Sequence, residues 1–237
     1  YEEFYQLNVE DWEEIILWFE YDLFCQLNML GLLSLLNEKK KSSETRISLI
    51  CVGREENRDR LIGLGEIEAL DYPSLFEQRK ELSAEDLSYA ANIWELYSSG
   101  QQELLFKENL DHPSLPYIKE ALLAHLMRFP QRKSGLTEIE TFILEELYHH
   151  PQTKHALIGK LLSRENFYGF GDLQYANMID NLAMLYQEGA DVLHLNELGK
   201  KLIEGKENFR FYRKKVPRYG QNSLLDYVQR QGKLIRV

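Results

Sequence analysis

Several features that mark particular protein classes are missing from this 237-residue chain. It holds only two cysteines, Cys25 and Cys51, and each lies in an apolar stretch, which is typical of buried reduced thiols and not of a disulfide scaffold. No apolar run approaches the length of a membrane span, and no charged-then-apolar leader is present. We therefore expect a cytoplasmic protein without membrane association.

Strong catalytic and cofactor motifs are also missing. The sequence has no phosphate-binding P-loop and no nucleophile elbow, and Gly63-Leu64-Gly65 is only a fragment of a dinucleotide fingerprint, more typical of a plain turn. His149, His150 and His155 have no cysteine nearby that would complete a zinc site. No metal site is predicted from motifs, the cofactor is unknown, and whether the chain is an enzyme stays open.

Charge is present but unevenly distributed. The formal net charge is -10, yet residues 205–237 carry +7 while residues 1–204 carry -17. An acidic body repels nucleic acid and anionic membranes over most of its surface. Any contact with phosphate groups would have to use the C-terminal tail or a local patch.

The first part of the chain predicts a βαβ unit. An apolar strand at residues 12–19 is followed by an almost entirely apolar helix at 23–37 and a second apolar strand at 47–53. Two such strands joined by one helix predict parallel pairing with a right-handed crossover, as in a small Rossmann-like unit. Because two strands cannot form an independent sheet, further strands would come from near the C-terminus or from an N-terminal region that this chain lacks.

The rest of the chain predicts helices, then a second unit. Ser83 with Asp86 forms a capping signature for a helix that ends near residue 98, within a helical middle part. A polar linker ends at Gly135, and Thr137 with Glu140 predicts another helix start. Helices at 137–149, 153–164 and 172–186, a strand at 192–195 and a helix at 197–204 favour a winged-helix-like arrangement, followed by a terminal hairpin at 223–237. The predicted fold class is α/β plus α, with domains 1–134 and 135–237.

Four blocks of sequence resemble a known family. They are Trp18 to Gln26, Gly63 to Glu66, Phe129 to Leu136 and Tyr168 to Asp172. In this order they resemble the C-terminal two thirds of a bacterial family, domain of unknown function 1835. The resemblance implies a bacterial protein and an N-terminal part that is missing here, and it implies no activity.

Carboxylates follow both predicted strands and form the first candidate site. Glu20 and Asp22 stand at the end of the first strand, and Glu66 lies shortly after the second. Ligands of open parallel sheets bind beyond the carboxyl ends of the strands, where these carboxylates could hold a divalent cation or act as acid and base. The alternative is that Glu20 and Asp22 only cap the following helix.

The basic tail is the second candidate site. Its cations alternate with aromatic residues, a composition that can bind phosphates and stack on bases. The candidates are Arg210, Arg213, Lys214, Lys215 and Arg218. The helix at 172–186 offers no Arg or Lys for base reading, so DNA reading by that helix is doubtful. The alternative is a solvated basic strand that balances the acidic body.

Two functional hypotheses follow from these patterns. The first is a cytoplasmic binding or regulatory protein, for instance in transcription regulation, that contacts nucleic acid or a protein through its winged-helix-like region. The second is an enzyme with a metal- or nucleotide-dependent site formed by Glu20, Asp22 and Glu66. The ligand and the oligomeric state are not predicted.

Overall fold

The computed structural model describes residues 8–40, 44–54, 60–164, 167–213, 218–219, 222–223, 226–230 and 233–236. Within these ranges the chain forms nine α-helices. They are α1 (Leu23–Lys39), α2 (Tyr72–Glu77), α3 (Ala84–Ser98), α4 (Gln102–Leu105), α5 (Ile118–Met127), α6 (Glu138–His149), α7 (Lys154–Ser163), α8 (Asp172–Asn181) and α9 (Glu197–Ile203). None of these helices has the length and apolarity that crossing a bilayer requires.

The β-strands of the described ranges are short and form four small sheets. They are β1 (Glu14–Glu20), β2 (Arg46–Val52), β3 (Lys80–Glu81), β4 (Gln152–Thr153), β5 (Tyr186–Gly189), β6 (Val192–Leu195), β7 (Arg218–Tyr219), β8 (Asn222–Ser223), β9 (Tyr227–Arg230) and β10 (Lys233–Arg236). The sheet orders are β1-β2-β3, β4-β6-β5, β7-β8 and β9-β10. The chain is therefore a mixed α/β protein, as predicted.

The first sheet confirms the parallel pairing that the sequence predicts. β1 and β2 run parallel in a register that starts with Glu14 opposite Arg46 and ends with Glu20 opposite Val52. The two-residue strand β3 adds to β2 in the antiparallel direction. We did not predict β3, because a two-residue strand has no periodicity and depends on a partner far away in sequence.

The N-terminal core lies between this sheet and three helices. Ile15, Leu17 and Phe19 alternate along β1 and belong to the same apolar cluster as α1, α3 and α5. α1 is apolar on nearly every side because α3 and α5 both pack against it. Ser83 and Asp86 form the predicted cap at the start of α3, with Ser83 Oγ accepting from the Asp86 amide at 3.1 Å.

A second apolar cluster lies in the C-terminal part, among α6 to α9 and the sheet β4-β6-β5. The predicted capping box at Thr137 and Glu140 starts α6. α8 ends at Asn181, five residues earlier than predicted, because Tyr186–Gly189 pairs with β6 as a strand. The N-cap of α8 is Gly171, whose amide donates to Gln174, and Asp172 is the first residue of the helix. The cross-strand partner decides where α8 ends, and it is not visible locally.

The C-terminal hairpin contacts the segment that joins the two clusters. β9 and β10 pair antiparallel, as predicted, although β9 starts at Tyr227. The Gln229 amide donates to the Pro130 carbonyl at 2.8 Å, and the Gln229 carbonyl accepts from Arg132 at 3.1 Å. The predicted polar linker is thus hydrogen-bonded to the hairpin. The division into domains 1–134 and 135–237 stays a prediction.

Candidate functional site

The carboxyl end of β1 holds two of the predicted carboxylates. Glu20 is the last residue of β1, and its Oε1 accepts from the Leu64 amide at 2.8 Å. Asp22 is the N-cap of α1, where its Oδ1 accepts from the Cys25 amide at 2.9 Å. Capping is favoured at this position because the first amides of a helix lack partners within the helix. The capping alternative therefore holds for Asp22, whereas Glu20 binds a loop amide.

Cys25 completes a cluster with these two carboxylates. One ligand atom from each of Glu20, Asp22 and Cys25 lies within 4.8 Å of the others. Burial and, to a smaller extent, the nearby Asp22 carboxylate together raise the pKa of the Cys25 thiol to about 11. The thiol is therefore protonated at neutral pH in the absence of a cation. We did not predict Cys25 as a site residue, although its position three residues after the N-cap was a usable signal.

Glu66 does not join this cluster. Its Oε2 binds the Arg60 guanidinium at 2.5 Å, and its Oε1 accepts from the Gly63 amide at 3.2 Å. Glu66 thus fixes the turn that presents the Leu64 amide to Glu20. Of the three predicted carboxylates, the fold brings Glu20 and Asp22 together and gives Glu66 a supporting position.

A buried amide lies against the same strand end. Gln26 is 1% exposed, and its Nε2 donates to the Glu20 carbonyl at 2.6 Å and to Cys51 Sγ at 3.2 Å. Its Oε1 has no hydrogen-bond partner in the described part of the chain. Burial raises the pKa of the Cys51 thiol to about 12, so this thiol is a neutral neighbour of the amide.

Glycine backbones lie close to both carboxylates. A Cβ on Gly63 would lie 2.8 Å from Glu20 Oε2, and a Cβ on Gly169 would lie 2.3 Å from Asp22 Oδ1. Gly169 also has a φ of +69°, which disfavours any larger residue there. The close approach of the 167–171 loop therefore depends on glycine, whereas a Cβ at position 63 would meet only the end of the flexible Glu20 side chain.

The loop of residues 167–171 joins the N-terminal and C-terminal parts at this site. The Phe167 carbonyl accepts from the Leu23 amide at 2.6 Å, and the Phe167 ring packs edge-on against Tyr21 with centroids 5.4 Å apart. Tyr21 also packs edge-on against Tyr117, whose hydroxyl accepts from the Arg54 amide at 2.7 Å. The strand end is thus enclosed by aromatic residues from three segments.

The predicted basic site is only partly within the described residues. Arg213 is buried, with 5% of its side chain exposed, and its guanidinium binds both carboxylate oxygens of Glu140 and the Gly135 carbonyl. Arg210 follows Asn208 in a short turn, and Arg218 lies in β7. Lys214 and Lys215 lie outside the described residues. A phosphate could reach Arg213 only by displacing Glu140.

The solvent face of α8 is acidic and carries one apolar side chain. Asp172, Leu173, Gln174, Asn177, Asp180 and Asn181 are exposed. Leu173 is 77% exposed, and Lys154 from α7 binds Asp180 at 2.6 Å. α8 itself contributes no Lys or Arg to a phosphate backbone, and the neighbouring Lys154 is paired with Asp180.

Comparison with known proteins gives no relative. No family model matches the chain, and neither the curated proteins nor the solved structures contain a match.

Proposed function

We propose that this chain is a binding protein with a regulatory role, in which a Rossmann-like unit carries the ligand site and a winged-helix-like unit contacts a macromolecular partner. The order α6-β4-α7-α8-β5-β6 with sheet order β4-β6-β5 supports the second unit. The parallel pairing of β1 and β2, with carboxylates beyond their carboxyl ends, supports the first.

The loop of residues 167–171 is the observation that carries the proposal. One end of this loop contacts Leu23 and Asp22 at the strand-end site, and the other end leads directly into α8. In a winged-helix arrangement the third helix presents the partner-binding face, and α8 has that position. A ligand that moves Asp22 would shift the start of α8.

The charge of α8 favours a protein partner over nucleic acid. Reading DNA needs cations and amide donors on the helix that enters the groove, and affinity comes mainly from phosphate contacts. α8 instead exposes Asp172, Asp180 and Leu173. A protein surface with an apolar pocket and basic residues complements this face.

Hydrogen exchange of α8 tests the coupling. We expect Gly169→Ala to speed amide exchange in residues 172–181, because a Cβ at position 169 collides with Asp22 and displaces the loop. Gly159→Ala is the matched control, since Gly159 lies in α7 with no atom near the added Cβ. Equal exchange in the wild type and Gly169→Ala would remove the support for coupling.

A titration with labelled duplex DNA tests the choice of partner. Anisotropy is followed at about 50 mM and about 200 mM salt, a range over which several phosphate contacts weaken binding sharply. We expect no binding at either salt concentration. Salt-sensitive binding that Lys214→Glu with Lys215→Glu abolishes would instead assign nucleic acid as the partner, through the basic tail.

An enzyme with an acidic site is the second candidate, supported by the convergence of Glu20 and Asp22. Because Arg60 holds Glu66, the acid and base would be Glu20 and Asp22. Hydrolysis of p-nitrophenyl phosphate in the presence of Mg²⁺ or Mn²⁺ tests this candidate. Turnover that Glu20→Gln abolishes would favour it, and turnover unchanged in that variant would count against it.

A further inference from the structure

The carboxylates at the strand end have no side-chain cation as a partner within the described ranges. Glu20 and Asp22 form no ion pair there, and each uses one oxygen for a backbone amide, from Leu64 and Cys25 respectively. The second oxygen of each carboxylate takes part in neither bond. Two partly enclosed carboxylates this close together favour a bound cation.

The buried amide of Gln26 is an independent sign of an occupant. This side chain is 1% exposed and its Oε1 has no donor in the described part of the chain, although nearly all buried polar atoms in proteins have a partner. The bonds from Nε2 to the Glu20 carbonyl and to Cys51 Sγ fix the amide at the strand end. Its oxygen therefore lacks a donor among the described residues, and a water bound to a metal ion at the strand end would supply one.

The donor atoms select the class of cation. Mg²⁺ and Ca²⁺ take oxygen ligands and have little affinity for a thiolate, whereas Zn²⁺ accepts sulfur and carboxylate oxygen in the same tetrahedral site. Three protein ligands leave a fourth position for water, as in open zinc sites. Ligand atoms up to 4.8 Å apart require a contraction of about 1 Å, which side-chain rotation can supply.

We propose that Glu20, Asp22 and Cys25 bind Zn²⁺ or a similar divalent transition metal ion, with a water in the fourth position that donates to Gln26 Oε1. Asp22 ligates through Oδ2 and keeps Oδ1 on the Cys25 amide, so the cap of α1 survives. The thiol proton passes to solvent as the metal–sulfur bond forms. This inference rests on the proposed function, since it names the ligand of the same strand-end site.

Titration of the untagged protein with Co²⁺ tests the site, because a thiolate bound to Co²⁺ gives a charge-transfer band in the near ultraviolet. Surface histidines such as His149 and His150 cannot produce that band. We expect the band in the wild type and in Cys51→Ser, and its loss in Cys25→Ser. Absence of the band in the wild type, or its persistence in Cys25→Ser, overturns the proposal.

A folding defect in Cys25→Ser would also abolish the band, so a second pair of variants is needed. Isothermal titration calorimetry measures their affinity for Zn²⁺. We expect Glu20→Gln to weaken Zn²⁺ binding at least about tenfold, and Glu197→Gln, which changes an exposed carboxylate paired with Lys200 in α9, to leave the affinity within about twofold of the wild type. Circular dichroism of each variant establishes that it is folded. Equal Zn²⁺ affinity in wild type and folded Glu20→Gln contradicts the assignment.

Hydrogen exchange with and without Zn²⁺ separates this inference from the proposed function. Zn²⁺ binding that leaves exchange in α8 unchanged supports the metal site and contradicts the coupling. No Zn²⁺ binding, together with faster exchange in Gly169→Ala, supports the coupling and contradicts the metal site.

Discussion

Carboxylates at the end of β1 are used differently from five carboxylates of the C-terminal part. Those five are bound by Lys or Arg side chains from other turns or helices. The pairs are Glu138 with Arg164, Glu140 with Arg213, Glu146 with Lys160, Asp180 with Lys154 and Glu197 with Lys200. At the end of β1, by contrast, Glu20 and Asp22 bind backbone amides and no side-chain cation among the described residues.

This difference separates structural charges from charges that are available to a ligand. A carboxylate in an ion pair has its charge compensated within the fold, and removing its partner leaves a cost in stability. A carboxylate held only by an amide keeps most of its charge for another cation. The strand end is therefore the better candidate for ligand binding, even though the C-terminal part has more carboxylates.

The largest effect is expected from breaking the buried pair in the C-terminal part. Arg213→Ala leaves the Glu140 carboxylate buried without its cation and also removes the guanidinium from the Phe209 ring, so we expect a loss of about 3 kcal/mol of unfolding free energy. Urea denaturation measures it. The control is Lys200→Ala, which breaks the exposed pair with Glu197 and should cost under about 0.5 kcal/mol. Similar losses in both variants would contradict a structural role for Arg213.

Glu14 is an ion-paired carboxylate of the N-terminal part, and its contribution to the unfolding free energy depends on pH. Bonds from Arg79 and Ser48 lower the pKa of Glu14 from 4.5 to about 2. Because the folded-state pKa lies below the unfolded value, the stabilisation is complete above pH 4.5 and is lost as the pH falls from 4.5 towards 2. We expect Glu14→Gln to flatten the decline of stability over that range, with a loss at neutral pH smaller than that of Arg213→Ala. Parallel wild-type and variant curves would rule out the pairing.

The smallest change in unfolding free energy is expected from Glu20→Gln at the strand end. Glu20→Gln removes no ion pair, and the amide oxygen of glutamine can still accept from Leu64, so we expect the unfolding free energy to change by less than about 0.5 kcal/mol. Glu140→Gln is the matched variant in the C-terminal part and should be clearly destabilising. A large loss of unfolding free energy in Glu20→Gln would mean that Glu20 is a structural residue. Glu20 would then not differ from the ion-paired carboxylates of the C-terminal part.

Local sequence patterns were sufficient for much of the fold. The apolar runs around Leu17 and Leu49 predicted two parallel strands, and the capping boxes at Ser83 and Thr137 predicted helix starts that the structure confirms. These features depend on residues a few positions apart. β3 and β5 were missed because each exists only through pairing with a strand elsewhere in the chain.

The candidate site was predicted in part for the same reason. Ligands of open parallel sheets bind beyond the carboxyl ends of the strands, so the sequence predicted a site at Glu20 and Asp22. The prediction needed no tertiary contact because both residues belong to one short stretch. Glu66 was assigned to the site because it follows β2, yet its side chain is held by Arg60. The sequence pattern predicts that Cys25 and Gln26 are core residues of an apolar helix. Their proximity to Glu20 arises only when α1 packs on the sheet.

By itself the sequence determined the mixed α/β class, the parallel β1–β2 pair and the acid-rich end of β1, because strand and helix periodicity and capping are local properties. Tertiary structure alone decided that the loop of residues 167–171 contacts Asp22 and Leu23, and that Arg213 is buried against Glu140. These contacts join residues more than seventy positions apart. Their formation depends on the packing of whole elements and on close backbone approach at Gly169, which no local pattern encodes.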